Sequence, residues 1–111
     1  MILALLGLAL AAPPTAEVRM SDVVIEVDTL WNGDPAQPGE AVRITLRDGG
    51  PHLLLLIDAP YHGDPAPDGP PGVFWKLWEH EVVELFVLGL ADRYLEVEVG
   101  PHGHHLSLIH I

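Results

Sequence analysis

Glu81-Val-Val-Glu-Leu-Phe-Val-Leu88, Gly89-Leu-Ala-Asp92 and Arg93-Tyr-Leu-Glu-Val-Glu-Val99 read in turn as a strand, a turn and a strand. β-Branched and aromatic residues fill the two flanks, and Gly with Asp interrupts them, which is the pattern of a hairpin. Successive side chains of a strand point to opposite faces. In the second strand Leu95, Val97 and Val99 therefore share one face, while Tyr94, Glu96 and Glu98 share the other. The first strand divides into a wholly apolar face, Val83, Leu85 and Val87, and a mixed one, Val82, Glu84 and Phe86. Placing the two apolar faces together predicts that Glu84, Glu96 and Glu98 are neighbours on the opposite face, flanked by Phe86 and Tyr94. A slip of one residue would carry charges into the apolar side.

Upstream of the hairpin the same logic yields further strands. Val23-Val-Ile-Glu-Val27 is a β-branched run followed by the turn signal Trp31-Asn-Gly-Asp-Pro35. Ala41-Val-Arg-Ile-Thr-Leu-Arg47 alternates strictly, with Val42, Ile44 and Leu46 on one face, so it is a half-buried strand. After the turn Asp48-Gly-Gly-Pro51, the continuous run His52-Leu-Leu-Leu-Leu-Ile-Asp58 is expected to be covered on both faces and to form the centre of a sheet. Residues 60–72 hold five Pro and three Gly, so they cannot continue a regular element and are expected to be a loop with few core anchors. Phe74-Trp-Lys-Leu-Trp78 closes that loop. Short strands separated by Gly and Pro clusters, without an amphipathic helix, predict an all-β chain, an antiparallel β-sandwich.

Composition narrows the function. The chain has 111 residues, enough for one hydrophobic core, so a single domain or a piece of one is expected. Lys and Arg number 5 against 16 Asp and Glu, a formal charge of -11, which argues against nucleic acid and membrane surfaces as partners. The absence of Cys removes disulfides, thiolate metal sites and thiol nucleophiles together. No Gly-rich phosphate loop and no Ser, His and Asp elbow is present.

The carboxylates on the hairpin need something to offset their mutual repulsion. A bound cation such as Ca²⁺, an arginine such as Arg43 or Arg47, or a polyhydroxylated ligand could each do so. Sugar recognition pairs carboxylate acceptors with aromatic faces, here Trp75, Trp78, Tyr61 or Tyr94. The plain alternative is a solvated acidic face with Trp residues plugging the fold. Three apart in an extended or irregular segment, the two Trp are expected to face different ways, with Trp78 in the core and Trp75 open to a ligand. The expected ligand-binding set is thus Trp75, Trp78, Glu84, Tyr94, Glu96 and Glu98, with no catalytic residue. A rival reading is a metal-dependent enzyme, with Glu81, His102 and His104 as its candidate ligands. A protein-interaction or structural β-domain without a small ligand is a third.

Leu77-Trp-Glu-His-Glu-Val-Val-Glu-Leu-Phe86, followed by Tyr94-Leu-Glu-Val-Glu-Val-Gly-Pro-His-Gly-His-His-Leu106, resembles the family 9 carbohydrate-binding modules and their DOMON-like relatives. More closely it is similar to an uncharacterised protein family of that superfamily, which shares Trp31-Asn-Gly-Asp-Pro35, Asp58-Ala-Pro-Tyr61 and the Asp64-Pro-Ala-Pro67 tail. Trp78, Glu81 and Glu84 match the module motif. The resemblance implies a jelly-roll-like sandwich, non-catalytic, possessing more strands than this chain carries and so incomplete at the C-terminus. Carbohydrate is the ligand class of the distant relatives.

Both ends depart from this pattern. Residues 1–19 form an apolar leader, either a signal peptide with an Ala-x-Ala site at Ala9 to Ala11 or an over-long start before Met20. The first implies a secreted or periplasmic module, the second a cytoplasmic one. Residues 20–105 are the expected partial module. Leu106-Ser-Leu-Ile-His-Ile111 matches one reading frame of a transposase end sequence used in library preparation, so residues 106–111 are expected to be a non-native tail.

Overall fold

A computed structural model of the chain describes residues 2–7 and 21–110, the first stretch as backbone only. The described residues fall into two compact units, 2–7 with 61–110 and 21–60, the latter within residues 11–60 of the chain. The chain is all-β: eight strands and one short 3₁₀ turn, with no α-helix among the described residues.

The unit of residues 11–60 is a three-stranded antiparallel sheet of β2 (Val23–Val27), β3 (Val42–Asp48) and β4 (Leu53–Asp58), in the order β2-β3-β4. Ile25 faces Ile44 across β2 and β3, and Ile44 faces Ile57 across β3 and β4. Alternation therefore gathers Val42, Ile44 and Leu46 with their cross-strand partners on one face, and these three are buried as their pattern predicts. β4 corrects an expectation. It lies at the edge, not the centre, and Leu54 and Leu56 are exposed on the face that carries Arg43 and Arg47. A run of leucines satisfies a one-sided strand as well as a two-sided one, so its hydrophobicity alone does not locate it.

The other unit is a five-stranded sheet of β1 (Ile2–Gly7), β5 (Gly72–Val73), β6 (Val83–Leu88), β7 (Tyr94–Val99) and β8 (His104–His110), in the order β1-β6-β7-β8-β5. Its central strands β6, β7 and β8 pair antiparallel as expected, and parallel partners flank them, β1 on β6 and β5 on β8. The central hairpin keeps its predicted faces, with Glu84 facing Glu98 and Phe86 facing Glu96. Its turn is closed by Arg93 N–H donating to the Leu90 carbonyl at 3.3 Å, with Ala91 and Asp92 both at positive φ, 56° and 57°. That is the twist which suits a two-residue hairpin turn. Of the expected leader, residues 2–7 pair as β1, and the Ala9 to Ala11 site lies outside the described residues. The expected tail supplies most of β8, where Leu106 faces Glu98 and Leu108 faces Glu96.

The core of this unit is built where the charges are. Leu77, Val82 and Leu106 are buried together, with Phe74 and Leu108 packed against them. Val82 shares its strand face with Glu84, and Leu106 and Leu108 lie across from Glu98 and Glu96. The acidic face expected to oppose the core thus borders it. The opposite face is mixed: Val83 and Leu85 are buried, while Leu95 and Ile109 are exposed.

Candidate functional site

The expected ligand-binding residues separate into two groups of opposite character. Glu84, Glu96 and Glu98 each offer a carboxylate oxygen, and these oxygens lie within 4.8 Å of one another. Two of the three are taken out of water, with Glu98 0% and Glu84 5% exposed. Neither oxygen of Glu98 meets a hydrogen-bond donor. Carboxylates accept only, so two of them side by side are satisfied by a shared proton or a cation. Burial first, then a hydrogen bond shared with Glu84, then the charges of Glu84 and Glu96, push the Glu98 carboxyl up to about 7. Glu96 has a partner, His110 Nε2 at 2.7 Å. Tyr94 lies beside them, stacked on the His110 ring at 4.3 Å between centroids and tilted against Phe86 at 5.9 Å.

The indoles are placed the other way. Trp75 is 64% and Trp78 38% exposed, and their rings meet edge to face at 5.1 Å. Trp78 is therefore not the core plug that its position next to the hairpin suggested. Leu77 fills that place. The reason is local backbone geometry. Lys76 adopts the left-handed conformation, φ 64°, and Leu77–Glu79 form a 3₁₀ turn. The left-handed Lys76 reverses the chain between Trp75 and the turn, so the two rings meet outside the fold while Leu77 is buried. Glu79 N–H donates to the Lys76 carbonyl at 3.1 Å and His80 N–H to the Leu77 carbonyl at 2.9 Å, which holds the turn.

Glu81, His102 and His104, the expected metal candidates, are not brought together as a metal cluster. They pin the Pro-rich segment instead. Glu81 accepts from the backbone N–H of His62 at 2.6 Å and of Asp64 at 3.1 Å, and the His62 bond is the chief reason its carboxyl is held below the usual range. Tyr61 Oη and His102 Nε2 both donate to the Asp64 carbonyl, at 3.0 and 3.1 Å. His104, buried, donates from Nε2 to the Gly69 carbonyl at 3.0 Å, which leaves its Nδ1 as an unpartnered acceptor. Pro67 is buried as well. Residues 60–72 are thus a loop with several anchors. Sequence reasoning missed them because they are contributed by the segment just before β6, by β8 and by the turn between β7 and β8, far along the chain. Arg43 and Arg47 are not the partners of the hairpin acids either: Arg43 pairs with Glu26 and Arg47 with Asp22.

Curated relatives match about three quarters of the chain. The human UPF0462 protein C4orf33 is 44% identical over 87 residues, which are 76% of this chain and 43% of the relative. Its homologue in Danio rerio is 45% identical over 82 residues, 71% of this chain and 41% of the relative, and that in Rattus norvegicus 42% over 87, with 76% and 43% covered. The homologues are UPF0462 proteins. This chain spans less than half the length of the UPF0462 relatives it matches. No protein-family model and no solved structure matches the chain, so the likeness to family 9 carbohydrate-binding modules rests on the motif residues alone. No helix among the described residues is long and apolar enough to cross a membrane.

Proposed function

We propose that this chain is part of a UPF0462-type protein and serves there as a non-catalytic binding module, with the Trp75 and Trp78 pair as the contact surface and carbohydrate as the ligand class. One observation carries the reading: two indoles stand out of the fold, edge to face, on a turn anchored by a buried leucine. Exposed aromatic rings grouped in this way are unfavourable in water and mark a surface that something covers. Indole faces suit the apolar side of a sugar ring, and a turn already held by backbone hydrogen bonds loses little freedom when the ligand arrives. The resemblance of Trp78, Glu81 and Glu84 to the carbohydrate-binding motif points to the same ligand class.

The reading is tested by titrating the chain with soluble mono- and oligosaccharides while following Trp fluorescence. Trp31 is almost fully exposed and remote in sequence from the pair, so its emission serves as a constant background. A saturable change that disappears in Trp75→Ala, with the melting temperature kept, supports the module. A flat response to every sugar contradicts it.

A further inference from the structure

The acidic cluster on β6 and β7 has a composition that the binding surface does not explain. Three carboxylates with their oxygens within 4.8 Å of one another supply up to six oxygen donors and no nitrogen or sulfur. Burying one unpaired carboxylate is costly, and bringing a second and third beside it adds repulsion to desolvation. Ordinary surface acids avoid this by pointing into water. Glu98 does not: it is 0% exposed, directed into the cluster, and neither of its oxygens meets a hydrogen-bond donor. Among the described residues no lysine or arginine is recorded as a partner of the cluster, and Arg43 and Arg47 are committed to Glu26 and Asp22. His110 meets the cluster at Glu96.

We propose that Glu84, Glu96 and Glu98 form a divalent-cation site, with Ca²⁺ as the ion, tying β6 to β7 across the Glu84 and Glu98 pair. An all-oxygen, multiply charged donor set selects a hard cation over zinc or copper, and Ca²⁺ tolerates the irregular geometry of carboxylates on two strands better than Mg²⁺. The ion satisfies the orphaned Glu98 oxygens and neutralises most of the local charge. It enters past Glu96, whose side chain keeps 13% exposure. This site is independent of the sugar reading, so a flat saccharide titration leaves it untouched.

The test uses the full chain, treated with EDTA and then dialysed. Calorimetric titration with CaCl₂ is expected to show about one ion per chain, and millimolar Ca²⁺ to raise the melting temperature by about 5 °C or more, as a ligand of the native state does. Glu98→Gln and Glu96→Gln are each expected to abolish both responses, whereas the exposed Glu79→Gln keeps them. Should Glu98→Gln fail to fold, the partly exposed Glu96→Gln carries the comparison. Absence of heat and of any thermal shift with Ca²⁺, Mg²⁺ and Mn²⁺ overturns the proposal, and so does a response that persists in both hairpin variants.

Discussion

The two sheets place charged residues across from one another in opposite ways. On β2 and β3, Glu26 faces Arg43, and Arg47 reaches Asp22 at 2.9 Å; every member is at least two-fifths exposed. On β6 and β7, Glu84 faces Glu98 with Glu96 two residues along, all of one sign and nearly dry. Balanced pairs in water contribute little and need nothing else, whereas like charges out of water need a proton or a cation. The contrast singles out the hairpin, not the smaller sheet, as the place where charge needs a further proton or cation.

That contrast can be broken at several points. The largest effect is expected at the floor of the acidic face: Leu77→Ala should destabilise the chain by about 3 kcal/mol in denaturant titrations, the usual result of emptying a buried leucine site. A loss below about 1 kcal/mol would mean that the face beside Glu98 is not core. Next comes the buried acid itself. With the Glu98 carboxyl raised to about 7 from an ordinary value near 4.5, the folded chain holds more proton than the unfolded one between these values. Stability in EDTA is therefore full below about pH 4.5 and falls as pH rises through about 7. Glu98→Gln should flatten that dependence and, at pH 8, stabilise the chain by about 1–3 kcal/mol, the range for relieving an unsatisfied buried polar group. Thermal melts across pH would reveal it. The smallest effect belongs to the other sheet: Arg47→Ala should cost less than about 1 kcal/mol and less still in high salt. A larger, salt-insensitive loss would remove the distinction between the sheets.

Much of the hairpin was legible because its alternation tolerates a single choice of face. Any alignment that keeps Val83 and Leu85 on the side of Val97 and Val99 also puts Glu84 on the side of Glu96 and Glu98. β3 was legible for the same reason. The run in β4 was not, since four leucines carry no alternation from which to read a covered face. Burial of the Glu cluster was hidden because Leu77, Leu106 and Leu108, which border it, come from a turn and a strand outside the hairpin. The orientation of Trp78 depended on Lys76 adopting a positive φ, which no local signal announced. The roles of Glu81, His102 and His104 as loop anchors rest on contacts spanning 17 to 38 residues, so spacing alone suggested a metal site instead.

The hairpin acids form a desolvated cluster, with Glu98 at its centre. NMR titration of the Glu98 side-chain carboxyl carbon in EDTA measures that desolvation directly. A midpoint near 7, displaced downward on addition of Ca²⁺, is what this structure predicts. A midpoint at the ordinary glutamate value, unmoved by Ca²⁺, would place Glu98 in water and contradict the account.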